Sequence, residues 1–187
     1  MVKIYCMPRG EKSGSEMVYA LLGHAYNIHF REVLPVIEKT PNGKPYFPER
    51  SDIHFSLSHA RTHVLCALSD KPVGADIESP RPISLRARRF FCSDAELELF
   101  DPLDLWVLKE SYIKLHGLTL ASMNEFRFSR DGARIIAPDV SVNSSLYHFD
   151  GCSAAVCVMG EPPPESIELL PLILTRPGRR CNCVPQA

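Results

Sequence analysis

The sequence predicts an α+β fold of two similar α/β halves, with antiparallel sheets and helices packed on them. Apolar strands and amphipathic helices mix along the whole chain, and turn residues separate neighbouring strands by a few positions. An apolar strand that ends in an acidic turn occurs twice, at residues 63–68 and 154–159. This repeat indicates a duplication divided near residues 70–73, although any two buried strands would look alike.

The first half, residues 1–72, begins with a strand and a helix. Ser15 is the predicted N-cap of a helix over residues 15–24, and residues 28–37 are predicted to be extended. Asn-Gly and two prolines predict a turn at residues 40–45. The strands of this half are predicted at residues 2–7, 54–58 and 63–68.

The second half, residues 73–160, begins with a strand at 73–77. Its helices are predicted at residues 83–91, 93–100 and 104–115, the second with a capping box of Ser93 and Glu96. Its later strands are predicted at residues 126–129, 133–136, 145–149 and 154–159. Residues 161–187 contain six prolines in 27 positions, which predicts an extended tail.

Composition excludes several classes of protein. The 187 residues are 45% hydrophobic and 23% charged, as in ordinary globular domains. With 21 basic and 22 acidic residues, we expect neither a general nucleic-acid binder nor a membrane-surface protein. No apolar stretch approaches the ~20 residues of a membrane span. Seven cysteines, an odd number and mostly in apolar runs, predict reduced thiols and a cytoplasmic location.

Two carboxylates fall on one face of the strand at residues 73–77 and its end. Asp76 and Glu78 are two positions apart, so their side chains point the same way. Oxygen ligands at this density suit Mg²⁺, although the same pattern is common where a strand runs into a solvated turn.

The helix at residues 104–115 carries a second charged group. Trp106, Glu110 and Lys114 recur at a spacing of four and share one face. A Glu–Lys pair of this kind is commonly a surface pair, but the single tryptophan of the chain predicts a mostly buried helix here. Glu110 could therefore complete a carboxylate set, and Lys114 could reach a phosphate.

Two further motifs have simpler interpretations beside a functional one. The Ser58-His59 pair lacks the Gly-x-Ser-x-Gly turn of a hydrolase and the additional ligands of a zinc site. A basic run is followed by Phe90 and Phe91, and it forms either a solvated helix face or a docking surface for an acidic helical partner. The run consists of Arg81, Arg86, Arg88 and Arg89.

Taken in order, these segments resemble the 4′-phosphopantetheinyl transferase superfamily, in its pseudo-dimeric, surfactin-synthetase-activating type. The most specific match is Asp-x-Glu at residues 76–78 followed by Trp-x-x-Lys-Glu-Ser-x-x-Lys at residues 106–114. The other matching segments are Gly43-Lys-Pro, Phe55-Ser-Leu-Ser-His, Val73-Gly-Ala and Arg89-Phe-Phe.

The resemblance implies a Mg²⁺-dependent enzyme that moves 4′-phosphopantetheine from coenzyme A to a serine of an acyl or peptidyl carrier protein. Its site would lie in the cleft between the halves, with Mg²⁺ on Asp76, Glu78 and Glu110. Glu110 would act as base and Lys114 would steady the phosphates. We expect a monomer, with Arg86, Arg89 and Phe90 as the carrier surface. The residues implied for coenzyme A are Lys44, Pro45, Ser58, His59, Lys109, Arg9 and Lys12.

The family type usually has a longer N-terminal region with basic residues for the 3′-phosphate, and here only Arg9 and Lys12 are available. Two other functions stay open on the sequence. One is a non-catalytic relative that binds a carrier protein or coenzyme A. The other is a Mg²⁺-dependent phosphodiesterase, which would favour a broad basic groove.

Overall fold

A computed structural model describes residues 1–172 of the chain. The strands of this part are β1 (Val2–Pro8), β2 (Glu38–Lys39), β3 (Pro45–Tyr46), β4 (His54–His59), β5 (His63–Ser69), β6 (Val73–Glu78), β7 (Ser129–Asp131), β8 (Arg134–Ile136), β9 (Val142–Phe149), β10 (Cys152–Met159) and β11 (Glu168–Leu169). The α-helices are α1 (Gly14–Phe30), α2 (Leu85–Phe91), α3 (Asp94–Leu99) and α4 (Pro102–His116), and a 3₁₀ turn covers Leu120–Asn124.

Two sheets share a core of three strands in the same order. The first has the order β11-β1-β5-β4 and the second β6-β10-β9. In each sheet the opening strand pairs antiparallel with the second strand of a hairpin, β4–β5 or β9–β10. A long helix, α1 or α4, lies between the opening strand and the hairpin in sequence. The predicted α+β class with antiparallel sheets is therefore confirmed.

The core lies in three clusters of buried side chains. One cluster packs α1 on the first sheet, and a second packs α4 on the second sheet. The third is formed by residues of both sheets, among them Ile4 of β1, Ile77 of β6 and Val156 of β10. Each sheet therefore has one face against a helix and the other face against its counterpart.

Helix α1 is longer than the sequence indicated. It begins after the N-cap Ser13, rather than Ser15, and continues to Phe30. The prediction of extended chain from residue 28 is wrong because Tyr26 and Phe30 still pack in the core of this half. The helix ends at Arg31, which has the left-handed conformation (φ 57°) that terminates many helices.

The segment before β7 also differs from the prediction. A strand was expected at residues 126–129, but the strand begins only at Ser129. The Phe126 carbonyl accepts a hydrogen bond from Lys109, and the Phe128 N–H donates to Glu96. Because side chains satisfy these backbone groups, they are not available for a strand ladder.

The chain after β10 returns to the first sheet. Residues 168–169 form β11, which pairs in parallel with β1, and the Leu170 N–H donates to the Cys6 carbonyl. Tyr147 of β9 donates a hydrogen bond to the Pro164 carbonyl at 2.6 Å. We call residues 161–172 the C-terminal strap. The rest of the predicted tail, residues 173–187, lies outside the described residues.

Two remaining features concern the described part of the chain alone. No helix in residues 1–172 has the length and apolar character needed to cross a membrane. The cysteines of this part, Cys6, Cys66, Cys92, Cys152 and Cys157, are all free thiols.

Candidate active site between β4, β6 and α4

Serine hydroxyls connect the edges of the two sheets. Ser56 Oγ of β4 accepts a hydrogen bond from the Ala75 N–H of β6, and Ser58 Oγ accepts one from the Ile77 N–H. The Ser58 hydroxyl donates to Asp76 Oδ1 at 2.6 Å. Ser58 therefore fixes the backbone of β6 and also the direction of the Asp76 carboxylate.

Helix α4 crosses β6 in direct backbone contact. A Cβ atom at Gly74 would overlap the Ser111 carbonyl and the Leu115 amide of α4, so only glycine allows this approach. Asp76 follows Gly74 by two positions and points to the same face of β6. The close crossing thus brings Asp76 under the side chains of α4.

Lys114 and Glu110 of α4 meet Asp76 at this crossing. Lys114 Nζ donates to Asp76 Oδ1 at 2.7 Å, and the Asp76 side chain is 7% exposed. Burial, together with repulsion from the Asp76 carboxylate, raises the pKa of Glu110 to about 7. No hydrogen-bond donor to the Glu110 carboxyl is found among the side chains of residues 1–172.

Glu78 lies at the end of β6, where Arg81 balances its charge. The Arg81 guanidinium donates to both Glu78 oxygens, at 3.0 and 3.3 Å, and lies 5.4 Å from the centre of the Trp106 ring. The Trp106 ring in turn contacts Phe91 edge-on, at 5.1 Å between ring centres. This chain of contacts joins the carboxylates to the end of α2.

A cavity of about 270 Å³ opens beside these charged groups. Its walls come from the turn before β3, from β4 and from the carboxyl end of α4, and they include Lys44, Pro45 and Lys114. Lys44 Nζ donates to the Leu115 carbonyl at 2.8 Å, and Asn42 donates to the Gly117 carbonyl at 2.9 Å. Burial lowers the pKa of Lys44 to about 8.

Known proteins are similar to this chain in the region of the candidate site. Residues 72–157 match the model of the 4′-phosphopantetheinyl transferase superfamily. The chain is 31% identical over 174 residues to 4′-phosphopantetheinyl transferase psf-1 of Bacillus pumilus, covering 84% of this chain and 74% of that protein. The chain belongs to the 4′-phosphopantetheinyl transferase superfamily.

Two further relatives specify the type. 4′-Phosphopantetheinyl transferase Sfp of Bacillus subtilis is 35% identical over 147 residues, 68% of this chain and 65% of that protein. 4′-Phosphopantetheinyl transferase gsp of Aneurinibacillus migulanus is 34% identical over 116 residues, 56% of this chain and 46% of that protein. The predicted family, in its Sfp-like type, is confirmed.

The metal site predicted from the family is not assembled in the structure. Within residues 1–172, no group of three histidine, cysteine, aspartate or glutamate side chains is arranged to hold a metal ion. The chemistry of the donors nevertheless fits Mg²⁺, because Asp76, Glu78 and Glu110 offer only oxygen ligands. Burial, together with repulsion from the neighbouring carboxylates, raises the pKa of Glu110. Their convergence on one cation stays a prediction.

Two residues that the family resemblance assigns to coenzyme A make other contacts in the structure. Lys109 is 0% exposed, and its ammonium group is enclosed by three backbone carbonyls and Glu96, so it has no surface to offer a ligand. The Ser58 hydroxyl is buried on Asp76 rather than open to a phosphate. We therefore leave Lys109 out of the coenzyme A site and treat Ser58 as a residue that positions Asp76.

The remaining basic candidates lie near the start of α1. The ring of exposed His59 packs against Gly14, the first residue of that helix. Arg9 follows β1, and its backbone N–H donates to the Thr62 carbonyl in the turn after His59. The buried Nε atom of Arg9 has no hydrogen-bond partner in the described part of the chain. Lys12 pairs with Glu16 at 2.9 Å.

Sequence reasoning missed the role of Arg81. The sequence places it in the basic run, whereas in the structure it pairs with Glu78 and covers Trp106. Its position three residues after Glu78 was the available signal. Two other residues of that run, Arg86 and Arg89, are exposed on α2 together with Phe90 and Leu85, which are 48% and 71% exposed. We call these four residues the α2 patch.

Proposed function

We propose that this protein transfers 4′-phosphopantetheine from coenzyme A to a serine of an acyl or peptidyl carrier protein. The observation that carries the proposal is the meeting of Asp76, Glu110 and Lys114 where α4 crosses β6, beside the cavity that Lys44 and Pro45 line. Membership of the superfamily supports the same activity. The three-strand cores β1-β5-β4 and β6-β10-β9 then belong to pseudo-symmetric halves, with one active site between them.

In the transfer, the serine oxygen of the carrier forms a bond to the phosphorus on the pantetheine side of the pyrophosphate. The bond from that phosphorus to the bridging oxygen breaks, and 3′,5′-ADP leaves with the electron pair. Glu110 receives the serine proton, directly or through a water, because its half-buried carboxyl has no side-chain donor within residues 1–172. Lys114, 30% exposed, extends from Asp76 toward the cavity and balances the phosphate charge.

Mg²⁺ would be held by Asp76 and Glu110, with Glu78 as the third carboxylate. When bound, it would neutralise the pyrophosphate and the charge that develops during phosphoryl transfer. Ser58 would keep Asp76 in place for this purpose, and Arg81 would hold Glu78.

Coenzyme A would lie along the cavity. Lys44 and Pro45 would border the adenine, and His59, Arg9 and Lys12 would meet the 3′-phosphate. The amino end of a 17-residue helix beside His59 favours an anion there, and the unpartnered Nε of Arg9 supplies a donor. The α2 patch would receive the carrier protein, whose acidic surface would pair with Arg86 and Arg89. We propose that the protein acts as a monomer.

The test is a gain of mass on a carrier protein. Purified chain, coenzyme A, Mg²⁺ and an apo carrier protein are mixed, and the intact carrier is weighed by mass spectrometry. We expect the mass of one phosphopantetheine to be added, and the addition to stop when Mg²⁺ is chelated. No gain with several acyl and peptidyl carriers would overturn the transferase proposal, and retained coenzyme A binding would then favour a non-catalytic relative.

A further inference from the structure

Lys109 is the least exposed charged side chain in the described part of the chain. Its Nζ atom donates to the carbonyls of Phe91, Met123 and Phe126, at 2.5, 3.1 and 3.2 Å. It also pairs with Glu96, at 3.0 Å. A single ammonium group therefore connects the end of α2, the 3₁₀ turn and the segment before β7 to α4.

Glu96 extends this network to α3. One of its oxygens accepts a hydrogen bond from the Phe128 N–H at 3.0 Å. The other accepts from the N–H and the hydroxyl of Ser93, which closes the capping box of α3. Lys109 and Glu96 together bind backbone N–H and carbonyl groups of four chain segments. These groups have no hydrogen-bond partner within a helix or a strand ladder of residues 1–172.

A network of this kind is better suited to fixing geometry than to adding stability. Burying both charges of an ion pair removes their hydration, and the attraction between them roughly offsets that loss. What the pair adds is direction, because each carbonyl must point at the ammonium to be satisfied. Loss of Lys109 would leave the α2 end and the 3₁₀ turn free to shift.

Lys109 holds the carboxyl end of α2, the helix that carries the α2 patch, and the 3₁₀ turn that contacts this helix. Phe91, whose carbonyl it binds, directly follows the exposed Phe90, and the Phe91 ring rests on Trp106 of α4. Glu110, the next residue on α4, faces Asp76 instead. Lys109 and Glu110 are neighbours on α4, and they thus connect this helix to the α2 patch and to Asp76, respectively.

We propose that Lys109 is a positioning residue that holds the α2 patch, and with it a bound carrier protein, at a fixed distance from Glu110. The inference rests on the proposed transferase function. It gives Lys109 an effect on the carrier substrate without any contact with coenzyme A. A residue of merely structural importance would weaken the use of both substrates together.

The experiment compares Lys109→Met with Lys71→Met, the same change at an exposed lysine of the turn between β5 and β6. Carrier and coenzyme A are varied separately, and coenzyme A binding is also measured by calorimetry. We expect kcat/KM for the carrier to fall on the order of 10²-fold in Lys109→Met, mostly through its KM. Coenzyme A affinity should stay within about twofold in both variants, a change too small to count as a lost contact.

Equal losses for carrier and coenzyme A, or no change of the carrier KM, would overturn the inference. If the unmodified protein transfers no phosphopantetheine, the proposed function is wrong. That outcome differs from a failure of the inference about Lys109, in which the unmodified protein is active. The double variant Lys109→Met with Glu96→Gln removes both charges and should recover stability while the carrier KM stays raised. Recovery of the carrier KM along with stability would count against positioning.

Hydrogen exchange on the unmodified protein supplies a measurement that needs no variant. The amides of residues 92–96 and 126–128 should exchange as slowly as those of α4, because Lys109 and Glu96 couple these segments to that helix. Exchange at the rate of exposed loops would show that the network does not hold them, and the inference would be wrong.

Discussion

Lys114 Nζ lies 2.7 Å from Asp76 Oδ1, so a cation of α4 already neutralises a carboxylate proposed to bind Mg²⁺. The lysine and the metal would compete for the same oxygen. Binding of Mg²⁺ would therefore release Lys114 toward the cavity, where the pyrophosphate of coenzyme A is proposed to lie. The two partners of this ion pair thus have separate functions once substrate and metal are present.

The first prediction concerns Asp76. Asp76→Asn keeps an acceptor for the Ser58 hydroxyl but removes the charge that attracts both Lys114 and a divalent cation. We expect phosphopantetheine transfer to fall by about 10³-fold, and the heat of Mg²⁺ binding in calorimetry to disappear. Transfer at the unmodified rate would remove Asp76 from the metal site.

The second prediction concerns Glu110 in the metal-free protein. Its folded-state pKa of about 7 lies above its ordinary value of 4.5, so the folded protein binds more protons between these values. Stability from this group is therefore fully present below about pH 4.5 and is lost as the pH rises through about 7. Glu110→Gln should be more stable than the unmodified protein at about pH 8, by on the order of 2 kcal/mol.

Urea denaturation in a chelator at about pH 5 and about pH 8 checks this, with Glu110→Gln gaining only at the higher pH. Added Mg²⁺ should raise the melting temperature of the unmodified protein and leave that of Glu110→Gln nearly unchanged. An equal shift in both proteins would contradict the assignment of Glu110 to the cation.

The third prediction concerns Lys44. Burial lowers the pKa of this lysine from 10.5 to about 8. Between these values the unfolded chain binds the extra proton, so the contribution of Lys44 to stability becomes more favourable as the pH rises. The difference in unfolding free energy between the unmodified protein and Lys44→Met should increase from about pH 7 to about pH 9.5.

The matched control for this experiment is Lys39→Met, at an exposed position of β2. Its difference from the unmodified protein should stay constant over the same range of pH. A constant difference for Lys44→Met as well would mean that Lys44 is not desolvated at the end of α4.

The fourth prediction concerns the crossing of α4 and β6. Gly74→Ala should push the helix away from the strand, since the added Cβ meets backbone atoms that cannot rotate aside. We expect a loss of at least about 3 kcal/mol in unfolding free energy, together with loss of transfer. Gly23→Ala, in α1, meets only a side chain at 3.9 Å and should instead stabilise by about 0.5–1 kcal/mol. Thermal unfolding of both variants measures these opposite changes in stability.

The fifth prediction concerns the α2 patch. Arg89→Glu should raise the KM for the carrier protein by about tenfold and reduce its dependence on salt, because a favourable charge becomes repulsive. The KM for coenzyme A should not change. Arg134→Glu, an equivalent reversal at an exposed position of β8, is the control. Similar effects of both reversals would indicate general charge rather than a docking surface.

The sequence predicted those parts of the molecule that depend on neighbours along the chain. The spacing of Trp106, Glu110 and Lys114 placed them on one helix face, and Ser93 with Glu96 formed the expected capping box. These features follow from the helical repeat and from local hydrogen bonds, which a single sequence contains.

Other features depend on contacts between distant segments, which no local pattern encodes. Lys109 binds backbone carbonyls 14 to 18 positions away, and carbonyls leave no signature in a sequence. The hydroxyl of Ser58 meets a carboxylate 18 residues later, across two sheets. Strands of two residues, such as β11, are too short to show a period.

The C-terminal strap makes the order of the chain differ from its arrangement in space. Residues 168–169 complete the sheet that β1 begins. The sheet of the amino-terminal half therefore includes a strand that is synthesised after all the strands of the carboxy-terminal half. An amino-terminal fragment cut between the halves would therefore lack β11, and the carboxy-terminal fragment would carry β11 without its partner β1. A fusion partner inserted before residue 168 would separate β11 from the edge of β1 and leave that edge open to pairing with other molecules.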